Sequence, residues 1–210
     1  MSTNPIETES PVDGTAAPMT TARDLISVGV FAALYTAIVF AFNFLGFLSP
    51  IAMVIGLWCG LVAGGIPFML FLTRVHRPGM IILLTGLFGA MLLLTGHPLV
   101  AIGWLLILAA VAEVIMWAGR YRSRAAAVAA YTVFSMWAAG QLFPLFYDRT
   151  GYLEGAGMQE MSADYIDALD RLLSVPVLIG VELATIPFGL IGALLGLRML
   201  DKHFSRAGLS

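Results

Sequence analysis

From Leu25 onward the chain alternates long apolar runs with short polar breaks. The runs occupy residues 25–48, 51–73, 80–95, 99–119, 125–147 and 175–197. None shows the period-2 alternation of a half-buried strand, and their length predicts helices. Hydrocarbon offers no hydrogen bonds, so a backbone crossing it must bond within its own helix, over about 20 apolar residues. The third run is the short one. As a helix it rises about 24 Å against a hydrocarbon core of about 30 Å, so it spans only if the bilayer thins. His97-Pro98 after it reads as a tight turn, making a helical hairpin with the fourth run. The expected fold is an all-α integral membrane domain, residues 23–200, with six transmembrane helices.

The flanks differ in kind. Residues 1–22 are rich in Ser, Thr, Pro and Glu and poor in large apolar side chains, which predicts a disordered tail rather than a signal peptide. Residues 201–210 form a second short tail. The long connection is 148–174. Within it Ser162 can cap a short helix, Asp164 suits its first turn, and Tyr165, Ile166, Leu169, Leu172 and Leu173 share one face. That helix is read either as an interfacial connector or as a lid over a cavity.

Composition sharpens the class. Of 210 residues, 60% are hydrophobic and 11% charged, against about 45–50% and about 25% in soluble domains. Soluble enzymes, nucleic-acid binders and disordered chains are thereby excluded. Arg23, Arg74, Arg77, Arg120, Arg122, Arg124, Arg198, Lys202 and Arg206 fall on one side of the predicted spans, and only Arg149 and Arg171 on the other. The positive-inside rule then puts both termini in the cytoplasm and the 148–174 loop outside. The lone cysteine, Cys59, allows no intrachain disulfide and is expected to be a small buried hydrophobe.

Inside the spans, small residues recur every fourth position. The first helix has Gly29, Ala33, Ala37 and Ala41, the second Gly56, Gly60 and Gly64, and the sixth Gly189, Gly192, Ala193 and Gly196. Close approach over such residues is a main source of helix association in lipid. In the second and sixth helices this is expected to be packing within the bundle, and in the first a surface for a partner. Pro67, Pro144 and Pro187 predict kinks in the second, fifth and sixth helices.

Two carboxylates lie in the spans. Glu113 is near the basic end and is expected to form a structural ion pair, with Arg120 or else Arg124 or Arg74. Glu182, near mid-depth, is a candidate ligand contact, with a protonated side chain bonded to a neighbouring helix as the equal alternative. Asn43, His97, Trp104, Gln141 and Tyr147 all map to the outer half, as the convergent polar groups of a small-ligand site would. An aromatic belt accounts equally for Trp104 and Tyr147. No HExxH, GxSxG or Walker lysine motif occurs, so the chain is expected not to be an enzyme, and no catalytic or metal-binding residue is assigned.

Four stretches carry a family resemblance: Ala22 to Tyr35 (ARDLISVGVFAALY), Gly65 to Val75 (GIPFMLFLTRV) running on to Gly79, Ala112-Glu113 with Gly119 to Ser123 (GRYRS), and Tyr131 to Ser135 (YTVFS) leading to Gly140 and Pro144. In order and spacing they resemble the S components, the substrate-binding membrane subunits, of energy-coupling factor (ECF) transporters, in the MptD-type group. The resemblance covers roughly residues 22–200. It implies a multi-pass protein of the bacterial cytoplasmic (inner) membrane that captures a micronutrient from outside. The implied ligand is a vitamin, a haem-like compound or another small organic nutrient; for haem, His97, Met158 and Met161 are possible iron ligands. It further implies docking on a transmembrane coupling subunit that carries two ATPases, which use the ATP, with no cofactor in this chain. Ala33 and Ala37 match the family's Ala-x-x-x-Ala docking pattern, with Gly29 and Ala41 flanking. The alternative class is a stand-alone secondary carrier or channel for a small solute.

Overall fold

The computed structural model describes residues 22–74, 76–155 and 157–206. Nearly all of the expected first tail lies outside the described residues, as do residues 207–210. Helices are the only regular structure among the described residues. Helix α1 (Ala22–Asn43) runs into a 3-10 turn at Phe44–Phe47, followed by α2 (Pro50–Arg74), α3 (Met80–Leu94) and α4 (Leu99–Ala118). Then come α5 (Arg124–Ser135), a 3-10 segment at Met136–Gln141, and two short helices, α6 (Pro144–Tyr147) and α7 (Arg149–Leu153). The chain closes with α8 (Ala163–Leu172) and the long α9 (Val175–Arg206).

Four helical segments are long and apolar enough to cross a membrane: Ala22–Phe47, Pro50–Arg74, Leu99–Ala118 and Val175–Lys202. Helix α3 is apolar but shorter. The fifth apolar run departs from expectation. It does not form one helix over 125–147 with a kink at Pro144; α-helix stops at Ser135, and Pro144 begins a separate turn. Pro144 has no N–H with which to continue an α-helix, and the chain upstream of it tightens into the 3-10 segment. There Gly140 lies so close to α4 that a Cβ would sit 2.9 Å from Trp104 Cδ1. The Met136 carbonyl accepts from the Trp104 indole N–H at 3.0 Å.

The centre of the bundle is α2, packed between α1 and α9. Its glycines serve both neighbours. A Cβ at Gly56 would stand 2.4 Å from the Phe42 carbonyl of α1, and one at Gly65 would stand 2.3 Å from the Gly192 backbone of α9. Beside them lies an aromatic core of Tyr35, Phe68, Phe88, Tyr131, Phe134 and Trp137, all fully buried. Phe68 stacks on Phe134 at 4.7 Å and Trp137 meets Phe88 edge-on at 4.7 Å. Its polar atoms are satisfied internally: Trp137 Nε1–H donates to Tyr35 Oη at 2.9 Å and Tyr131 Oη–H to the Leu61 carbonyl at 2.5 Å. A buried polar group left unbonded would cost more than these bonds gain. Cys59, expected inside, is exposed, because α2 spends its contact faces on α1 and α9 and Cys59 lies off them.

Candidate functional site

The described part of the 148–174 connection packs on the end of the bundle where α1 finishes and α4 begins. Helix α8 lies there with Leu169 and Leu173 buried against Val54, Leu142, Leu145, Leu178 and Val181. Ser162 Oγ accepts the Tyr165 N–H at 3.2 Å, the cap its sequence predicts. Tyr165 Oη–H donates to the Gly46 carbonyl at 2.7 Å, tying α8 to the turn after α1. Arg149 holds the other end of the helix: Nε meets Asp170 Oδ1 at 2.5 Å and Nη1 meets the Leu173 carbonyl at 2.9 Å.

Beneath this cover is an inner chamber of about 220 Å3, with Asn43, Met53, His97, Gln141, Met158 and Tyr165 among its walls. A second, outer chamber of about 460 Å3 adjoins it, sharing His97, Gln141, Tyr152 and Met158 and adding Tyr147 and Asp148. The shared wall is a bonded pair, with His97 Nε2 2.8 Å from Gln141 Oε1. His97 Nδ1 lies 3.1 Å from the Leu92 carbonyl and 3.0 Å from Thr95 Oγ1. Burial lowers the His97 pKa, outweighing its bonds to Gln141 and Leu92, so the ring is neutral at pH 7. Gln141 Nε2 is buried with no hydrogen-bond partner. Burial also pushes the Tyr152 phenol up to about 12, keeping it a protonated donor.

Of the six residues assigned to a ligand from sequence, Asn43, His97 and Gln141 meet in the inner chamber and Tyr147 stands at the outer one. Two do not. Trp104 is occupied by the Met136 carbonyl and packs on Phe143 at 5.4 Å. Glu182 lies along α9 and lines neither chamber; Oε1 of its carboxylate is buried without a partner. Sequence reasoning missed Met53, Tyr152 and Tyr165 as lining residues. Tyr165 was visible as part of an amphipathic face, but nothing in its spacing says what that face covers.

At the opposite end the expected Glu113–Arg120 ion pair is absent. Glu113 Oε2 accepts the Ile81 N–H at 3.1 Å and Oε1 accepts the Tyr121 hydroxyl at 2.6 Å. The cause is the turn itself: Arg120 and Tyr121 both adopt left-handed backbone, φ 52° and 53°, which leaves Arg120 exposed while Tyr121 meets the carboxylate. The carboxylate thus satisfies an otherwise orphaned N–H in the first turn of α3, where negative charge also suits the helix dipole. Burial, then Glu113, raises the Tyr121 pKa and keeps the phenol a donor.

The small-residue face of α1 is turned away from the bundle. Val28, Ala32, Tyr35 and Val39 form its buried side, whereas Ala33, Ala37 and Ala41 are exposed and Gly29 has nothing within 4 Å of where a Cβ would stand. Gly56, Gly60, Gly64 and Gly65 of α2 and Gly189, Gly192 and Gly196 of α9 are instead consumed inside the bundle.

Residues 22–206 match the model of a family described as hypothetical bacterial integral membrane protein (Trep_Strep), and the chain belongs to that family. No curated protein and no solved structure matches significantly. The chain is therefore a bacterial integral membrane protein, built of helices among its described residues.

Proposed function

We propose that this protein is the substrate-capturing S component of an ECF-type importer in the bacterial inner membrane. It binds a micronutrient in the covered chambers and docks through α1 on a coupling subunit that carries two ATPases. The observation that carries the reading is the pairing of two features on one bundle. A mainly apolar chamber with a few polar groups, Asn43, His97 and Gln141 among them, sits at one end, and α1 presents Ala33, Ala37 and Ala41 outward with no partner among the described residues. A stand-alone carrier needs no such second face.

In this reading both termini are cytoplasmic, as the distribution of Lys and Arg favours, and the chambers open outside. The chain crosses six times. Helix α5 with its 3-10 continuation rises about 30 Å, enough for the hydrocarbon core despite the break at Ser135. Helix α3 rises about 22 Å and crosses where the bilayer thins. The chemistry of transport belongs to the partners, and this chain is not itself an enzyme.

The test is the double variant Ala33→Leu with Ala37→Leu. Both side chains are exposed, so the fold should survive. Ligand retention should be unchanged while uptake and recovery of the coupling subunit fail. Uptake at the wild-type rate would remove α1 as the docking face.

A further inference from the structure

We propose, building on the capture reading above, that the inner chamber takes a neutral, planar ring compound of about bicyclic size with an amide-like edge. Among the described residues lining it there is no Asp, Glu, Lys or Arg. In the outer chamber the acidic group is Asp148, whose Oδ1 accepts the Gly151 N–H at 3.1 Å. An anion would therefore be desolvated without a counter-charge, and a cation would meet one partly engaged carboxylate outside the inner chamber. Burying an unpaired charge is far more costly than burying a hydrogen-bonded neutral group.

The polar groups that remain include two amides, Asn43 and Gln141, beside the His97 ring and the Tyr152 phenol. Gln141 Nε2 is buried and unpartnered, and the Asn43 side chain makes no cap bond to the turn after α1. The His97–Gln141 pair can present either polarity without changing charge. With the proton on Nε2, His97 donates to Gln141 Oε1 and leaves the Gln141 amino group as a donor to the chamber. With the proton on Nδ1, His97 donates to the Leu92 carbonyl, and a turned Gln141 amide donates to Nε2 and offers Oε1 instead. A lactam edge, with N–H beside C=O, uses both kinds of group.

The remaining walls suit a flat face. Met53, Met158 and Met161 bring thioethers and Tyr152 and Tyr165 bring rings, the partners that aromatic faces and edges favour. At interior packing density of about 0.74, the chamber leaves roughly 160 Å3 for ligand atoms. That is the scale of two fused rings, and both nitrogens of His97 already face protein acceptors or donors rather than an empty coordination site.

The probes are quinolin-2(1H)-one, a neutral bicyclic lactam, and its 4-carboxylate, titrated by saturation-transfer NMR against the full chain in nanodiscs. The neutral lactam should bind saturably and at least tenfold more tightly than the carboxylate. Gln141→Leu should weaken the lactam about tenfold; Asn43→Leu is the second variant should Gln141→Leu fail to fold. Equal or tighter binding of the carboxylate overturns the assignment, as does unchanged lactam affinity in the folded variants, or saturable binding of neither probe. Recovery of a coupling subunit with the wild-type chain does not involve the probes. If it persists when the lactam fails, the ligand class falls and the capture reading stands.

Discussion

A single methyl group at Gly65 should loosen the central helix pair. The Cβ of Gly65→Ala would lie 2.3 Å from the Gly192 carbonyl carbon and 2.4 Å from its oxygen, where real Cβ contacts essentially never fall under 3.0 Å. Both obstacles are backbone, so no side chain can rotate away; α2 and α9 must separate by roughly 1 Å. A gap of 0.5–1 Å forfeits about a quarter to a half of the dispersion well for each atom pair. Overpacking of this kind costs about 1–3 kcal/mol, while alanine returns about 1 kcal/mol of helix propensity over glycine. The matched control is Gly29→Ala, where a Cβ meets nothing within 4 Å and only the propensity gain remains. The two variants should therefore differ by about 1–3 kcal/mol, Gly65→Ala being the weaker. Reversible unfolding in mixed detergent micelles with increasing SDS reads the difference directly. If Gly65→Ala is as stable as Gly29→Ala, the close α2–α9 crossing is wrong.

Other expected outcomes follow from the two ends of the bundle. Tyr121→Phe leaves Glu113 Oε1 without its donor and should cost about 1–3 kcal/mol in the same unfolding assay; Arg120→Ala, which removes an exposed side chain, should change stability by less than about 0.5 kcal/mol. Arg149→Ala releases Asp170 and the Leu173 carbonyl from a partly exposed site, so global stability should fall by no more than about 1 kcal/mol. Amide exchange across residues 149–173 should nonetheless accelerate; unchanged protection would show that Arg149 does not hold the cover. The folded-state pKa of His97 is lowered, so the unfolded chain binds more protons below about pH 6.5. Its contribution is complete above that pH and is lost as pH falls through the folded value; His97→Asn should remove that part of the acid-side slope, measured by thermal unfolding between pH 5 and 7.

The helices were legible because apolar runs in lipid leave the backbone few alternatives: the second, third and fourth runs became single α-helices at close to their expected ends. The first passes into the 3-10 turn at Phe44–Phe47, and the sixth continues as α9 to Arg206, into the expected tail. The fifth was misread because hydropathy does not register the tightening before Pro144, which depends on Gly140 meeting Trp104 of another helix. Glu113 was found as a buried carboxylate, yet its partner was misassigned. A left-handed turn at two non-glycine residues gives no local signal, and it is that turn that separates Arg120 from the site and brings Tyr121 in. Depth alone grouped Asn43, His97 and Gln141, which share one chamber, with Trp104 and Glu182, which do not line it, since depth fixes height along a helix and not the face. The outward direction of Ala33 and Ala37 could be read only once Val28, Tyr35 and Val39 were seen to be the buried side.

The central claim is that this chain works as the capturing subunit of a larger machine. Affinity purification from native membranes in mild detergent, with mass spectrometry of the proteins recovered, tests it most directly. The account predicts one transmembrane coupling protein and two ATPases with the wild-type chain, and their loss with Ala33→Leu and Ala37→Leu together. Recovery of the wild-type chain alone, under conditions that keep a known ECF complex whole, together with solute uptake into liposomes holding only this chain, would contradict it.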